Sequence, residues 1–144
     1  MENTNPKYVT RSAIEGLVKK IKLPAPNEFS QDWEYEVSDS SRVAEFLVAY
    51  ESIELDTEEK FAFMIVIISS YDDAIGERKD EESWASSIRY HLLQDIRIHK
   101  NTINYWAMLD ENDLDNCFSV TPFIREILKD AKLGGELHCL RVND

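Results

Sequence analysis

The chain has 144 residues, 43% of them hydrophobic, which is enough for a single domain whose core needs no covalent staples. It carries 28 acidic against 16 basic residues, a net charge of −12 that argues against direct binding to nucleic acid or to an anionic membrane surface, since both demand Lys and Arg. Two cysteines, Cys117 and Cys139, are too few for a disulfide framework and lack metal spacing, so both read as reduced thiols in a bacterial-type or other cytoplasm.

The opening MENTNPKYVT has neither the apolar core nor the small-residue cleavage site of a signal peptide, and the protein is expected to be cytoplasmic. The first periodic segment, RSAIEGLVKKIKL, puts Ile14, Leu17, Val18 and Ile21 on one helical face, with lysines towards its C-terminal end and Pro24 and Pro26 as the stop. NEFSQDWEYEVS resists that pattern. Trp33, Tyr35 and Val37 alternate with Glu34 and Glu36, as in an extended segment, yet Phe29, Trp33 and Val37 also fit a helix face. Two roles are open to it: a connection that lays Phe29 and Trp33 onto the core, or an exposed aromatic and acidic docking edge. Next, SDSSRVAEFLVAYESIEL supplies several caps and then a stripe of Val43, Phe46, Leu47, Tyr50 and Ile53.

Eight consecutive apolar residues, Phe61 to Ile68, follow. A membrane span needs about 20, and Glu58, Glu59 and Lys60 on one side and Asp72 and Asp73 on the other close this run off. The β-branched MIVII favours a strand. Against that, Asp56 and Glu59 have capping-box spacing, Phe61, Ile65, Ile68 and Tyr71 recur at helical intervals, and Gly76 is a stop. The spacing predicts a helix over residues 57–75. It is apolar on nearly every side, so it belongs in the middle of a bundle with Ile65 fully buried.

Beyond GERKDEES, Trp84, Ile88, Leu92 and Ile96 step by four, and the stripe continues through Ile103 and Trp106. RIHKNT weakens it, so residues 81–109 read as two helices with a turn at His99 to Thr102, or as one long helix. DENDLDN, residues 110–116, fails as a calcium loop because Asp115 stands where glycine is needed. SVTPFIREILKDAK opens a last helix with Thr121 as cap and Pro122 at the first helical position. Gly134 and Gly135 end it, and ELHCLRV reads as a short strand or an ordered tail. The expectation is an all-α fold: residues 1–144 as one compact bundle of about five or six helices around the buried helix at 57–75.

Catalytic chemistry is scarce. His91 and His99 stand eight apart, about 12 Å along a continuous helix, too far for one metal. Asp95 lies between them and could orient either ring, while His138 and Cys139 are neighbours whose side chains diverge on an extended backbone. There is no phosphate loop, no nucleophile elbow and no zinc signature. No catalytic residue, metal or cofactor is therefore assigned, and no motif marks a family.

Charge is the most informative feature. Between Glu28 and Glu59 there are eleven acids and one base, Arg42, a local balance of −10, whereas residues 1–27 carry a balance of +3. Such a field attracts basic proteins and speeds their encounter. A small acidic helical chain without catalytic residues has the profile of a stoichiometric inhibitor. The type example is a bacterial immunity protein that covers the basic active site of a nuclease toxin. The expected partner-binding residues are Trp33 and Tyr35 as aromatic anchors, with Glu34, Glu36, Glu45 and Glu51 as the charged surround. The competing expectations are a nucleotide hydrolase-like enzyme with metal-binding carboxylates at Asp72, Asp73 and Glu77, an oligomeric scaffold, or a DNA-mimic regulator.

Overall fold

In a computed structural model, residues 6–133 are described, and they form seven helices with no strand among them. These are α1 (Arg11–Ile21), α2 (Trp33–Glu36), α3 (Val43–Ser52), α4 (Thr57–Gly76), α5 (Glu82–Gln94), α6 (Ile96–Ala107) and α7 (Thr121–Leu133). Single 3-10 turns precede α3 at Ser40–Arg42 and α7 at Leu114–Asn116. The segment ELHCLRV, read as a short strand or tail, lies outside the described residues, as do His138 and Cys139.

Helix α4 is the axis of the fold. Fourteen of its 20 residues are buried. It packs against α1, α2, α3, α6 and the turn at Ser40–Arg42. A strand of this composition would leave its backbone groups to neighbouring strands, and none exists among the described residues. Within the helix every interior amide is satisfied locally, so the β-branched run can be buried on all sides. The start of α4 is fixed as its sequence implies. Asp56 accepts from the Glu59 N–H at 2.8 Å and Glu59 accepts from the Asp56 N–H at 3.0 Å, a complete capping box. The Glu59 carboxylate is buried and also receives Lys20 Nζ at 2.7 Å, which ties α1 to the start of α4. Gly16 permits this approach, because a Cβ there would fall 1.9 Å from Glu59 Oε2.

Several helix ends are finished by side chains from elsewhere. Arg125 of α7 donates to the carbonyls of Ala107, Met108 and Glu111 at 2.6–2.8 Å and so satisfies the C-terminal end of α6. Asp72 of α4 accepts from the Val120 N–H at 2.9 Å, just ahead of α7. Thr121 was expected to cap α7. Its hydroxyl instead donates to the Trp106 carbonyl at 2.8 Å.

Three expectations shift. The break between α5 and α6 falls at Asp95, not at His99 to Thr102, which lie inside α6. Asp95 leaves the helical backbone region, and its carboxylate accepts from Tyr50 Oη at 2.7 Å. The polar RIHKNT run is compatible with helix because His99 and Thr102 are turned inward. The WEYE segment is one helical turn rather than an extended edge. Trp33 and Val37 reach the core, whereas Phe29 is 80% exposed. Ile65 is buried but sits at the edge of a groove, and the largest wholly enclosed side chains of α4 are Phe63, Met64, Ile67 and Ile68.

Truncating one of those enclosed side chains, as in Ile68→Ala, is expected to cost about 2–5 kcal/mol, and Ile65→Ala measurably less, because the groove side of its cavity is already open. Urea unfolding of the two variants checks the order. Equal losses would mean that the groove beside Ile65 is closed in solution.

Candidate functional site

The residues expected to form a binding surface divide between two places. Trp33 is a core residue, 3% exposed, and its indole N–H donates to the Pro24 carbonyl at 2.7 Å. It anchors the proline-rich connection to the bundle and does not face a partner. Tyr35 is half-buried, with ring centroids 6.1 Å from Tyr105 and 6.0 Å from Trp106. Burial is the main cause that pushes its phenol pKa upward, and Tyr105 beside it adds to this. Burial likewise raises the Glu34 carboxyl. Glu36 is exposed and accepts from the Gln31 and Asp32 N–H groups at 3.1 Å each, which holds its pKa down. It closes its own loop and is partly committed.

Glu45 and Glu51 lie on the solvent stripe of α3 together with Ala44, Val48 and Ser52. Val48, 63% exposed, stands between the two acids. Glu45 is held by Arg42 through Nε at 2.9 Å and Nη2 at 2.6 Å, and that pairing lowers its pKa. Glu51 meets His91 Nε2 at 2.8 Å. Sequence reasoning missed Val48 and also Tyr8, which is 82% exposed, and left Phe29, which is 80% exposed, open between the core and a docking edge. An apolar residue at a solvent-facing helical position was the available signal for Val48.

The acidic segment does not end at α3. The turn before α3 is clamped to the far end of α4: Ser38 donates to Asp73 at 3.1 Å, the Asp39 N–H to Ser70 Oγ at 2.9 Å, and Ser40 to Glu77 at 2.7 Å. Asp39 is thereby gathered with Asp73 and Glu77, carboxylates more than thirty residues away in the chain. The last turn of α4 contains no basic residue. Carboxylates there oppose the helix dipole, at about 0.3–1 kcal/mol each. Asp72, Asp73 and Glu77 are tied to Val120, Ser38 and Ser40 respectively, and do not converge. Among the described residues no group of three or more His, Cys, Asp or Glu side chains could hold a metal ion. In DENDLDN, Glu111 and Asp113 accept from the loop's own N–H groups.

A buried polar cluster joins α3, α4, α5 and α6. Tyr50 Oη donates to Asp95 Oδ2 at 2.7 Å and sits 2.8 Å from His99 Nε2. The hydroxyl has one proton, already given to Asp95, so it accepts from His99, whose N–H is then on Nε2 and whose lone pair is on Nδ1. Lys60 Nζ approaches the same Asp95 oxygen at 3.7 Å. Burial drives the His99 pKa down to about 3, overcoming the opposing pull of Asp95, and Lys60 and His91 push the same way as burial. Asp95 thus orients Tyr50, which in turn orients His99. Tyr50 and His99 are buried while Asp95 and Lys60 are partly exposed, and the cluster fastens α3 to the junction of α5 and α6.

No family model, curated protein or solved structure matches this chain. Among the described residues, no helix is long and apolar enough to cross a membrane.

His99 makes stability depend on pH in a predictable direction. Its folded pKa lies below its unfolded value of 6.5, so the unfolded chain binds the proton more readily. The stabilisation is complete above pH 6.5 and is lost as pH falls towards 3. Between pH 7 and pH 5 the loss from this residue is about 2 kcal/mol. A His99→Phe variant is expected to lose that much less stability across the same interval, as read from urea midpoints. Parallel pH profiles for the two proteins would contradict the burial of a neutral imidazole.

Proposed function

We propose that this protein acts by stoichiometric binding to a basic protein partner, covering its active cleft in the manner of an immunity protein that silences a nuclease toxin. The observation that carries this reading is the joining of two acidic regions. The turn of the 28–59 segment and the carboxylates at the C-terminal end of α4 meet through Ser38, Asp39 and Ser40. Asp73 and Glu77 hold that turn through Ser38 and Ser40, although the helix dipole disfavours carboxylates at this end, and the clamp thereby concentrates negative charge on one face. A basic partner would complement that charge. Binding would displace the partner's nucleic acid by occupying its Lys and Arg side chains with carboxylates.

The α3 stripe suits the remaining need of such an interface, an apolar contact inside a charged surround. Val48 between Glu45 and Glu51 replaces Trp33 in the anchor role, and Tyr35 contributes from the groove side. No catalytic residue is assigned in this reading, and the protein would work inside the cell that makes the partner. Oligomeric scaffolding and DNA mimicry rest on the same acidic surface without any observation that favours them.

The test uses the nuclease captured with the protein from its own cell extract. Equimolar protein is expected to abolish cleavage. Glu45→Lys with Glu51→Lys should slow association about tenfold at low salt, with the difference shrinking as salt rises. Val48→Ala should instead speed dissociation, with little salt dependence. Folded charge-reversed variants that bind at unchanged rate and salt dependence would reduce the acidic face to a solubilising surface.

A further inference from the structure

The connection between α6 and α7 sets exposed apolar side chains among unpaired carboxylates. Tyr105, Leu109 and Leu114 are 52%, 53% and 52% exposed. Of the seven large hydrophobic side chains that stand exposed among the described residues, these three fall within ten residues of one another. The Tyr105 ring lies 5.8 Å from that of the partly buried Phe118 and 6.1 Å from that of Tyr35, centroid to centroid. The two leucines stand on backbone that Arg125 gathers. Its guanidinium donates to the Met108 and Glu111 carbonyls, at 2.6 Å and 2.8 Å, and lies 3.8 Å from Cys117 Sγ. The Cys117 N–H in turn donates to the Leu114 carbonyl at 3.0 Å, and the Glu111 N–H to the Met108 carbonyl at 3.0 Å. Leu109 and Leu114 are therefore held in place on a tied loop, at the same end of α6 as the Tyr105–Phe118 pair. A single exposed leucine is ordinary, but an apolar cluster rimmed by charge marks an interaction surface.

The rim decides what covers it. Between Asn101 and Ile124 the chain has four acids, Asp110, Glu111, Asp113 and Asp115, and no base. Glu111 and Asp113 each accept one backbone N–H. Among the described residues none of the four forms an ion pair. A second copy of this chain does not suit the surface, because a two-fold contact would set these acids against their own symmetry mates. Nucleic acid and anionic lipid are repelled likewise. Strand addition needs a strand edge, and the described residues contain no strand. A helix laid down by its side chains meets both demands, with an apolar stripe on Tyr105, Leu109 and Leu114 and flanking Lys or Arg on the carboxylates. We propose that the α6–α7 connection is a docking surface for a basic amphipathic helix of another protein. The inference does not rest on the inhibitor reading, since this surface shares no residue with the α3 stripe or the acids at the end of α4.

The probe is a short synthetic peptide of leucine and lysine at amphipathic helical spacing, fluorescently labelled and titrated with the full chain at low salt. Saturable binding is expected in its anisotropy. Leu109→Ser with Leu114→Ser, at positions exposed enough to leave the fold intact, should raise the Kd about tenfold, the loss of one strong contact residue. Asp110→Lys with Asp115→Lys should weaken binding at low salt, with the difference shrinking as salt rises. Glu45→Lys with Glu51→Lys makes the same change in net charge on α3 and should leave the Kd nearly unchanged. Equal weakening by the two charge reversals would show a general attraction to an acidic protein and overturn the proposal. An unchanged Kd in the leucine variant, or no saturable binding at all, overturns it and leaves the inhibitor reading standing. Weakening by the α3 reversal alone would move the basic helix to the α3 stripe, against this inference and in favour of that reading.

Discussion

Everything in this fold follows from a helix with no solvent face. Fourteen buried residues in the 20 of α4 leave its termini and little else to water. A helix apolar on one stripe can be covered by one neighbour, but this one needs cover on every side. Helices α1, α2, α3 and α6 supply it directly, and α5 and α7 close the outer ring by packing on α3 and α6. The short α2 has four residues, too few to be stable alone. The packing of α2 against α4, with Trp33 in the core and bonded to the Pro24 carbonyl, holds it in place.

Polar groups tie this ring to its axis and keep it in register. Glu59 binds Lys20 of α1, Asp72 receives the backbone ahead of α7, and Ser70 receives the turn ahead of α3. Midway, the Tyr50–Asp95–His99 cluster joins α3 to the break between α5 and α6, with Lys60 beside it. Apolar packing is tolerant of sliding, whereas a buried hydrogen bond is satisfied in one position. These bonds specify which arrangement of the ring the chain adopts.

The helical class, the central position of α4 and its capping box were legible because a long apolar run with helical start signals admits few alternatives. Among the described residues the buried apolar side chains form one continuous cluster. The break at Asp95 was hidden, because its cause is a tertiary bond to Tyr50, forty-five residues away, and local polarity pointed to His99 instead. Trp33 and Tyr35 were legible as aromatic contacts, but which of them faces outward depends on a one-turn helix that alternation disguised as an extended segment. The acids of 28–59 were plain in the sequence. Their partnership with Asp73 and Glu77 was not, since serine side chains and a backbone amide make it.

The central claim is that α4 is the last element to lose its structure, because exposing any part of it uncovers apolar surface on several sides. Native-state amide hydrogen exchange tests this directly. The amides from Phe63 to Ile68 are predicted to exchange only through global unfolding, with a free energy equal to that from urea denaturation, while α1, α2 and α7 open locally at lower cost. Should the α4 amides exchange more readily than those of α6 or α7, the bundle would be organised around a different element.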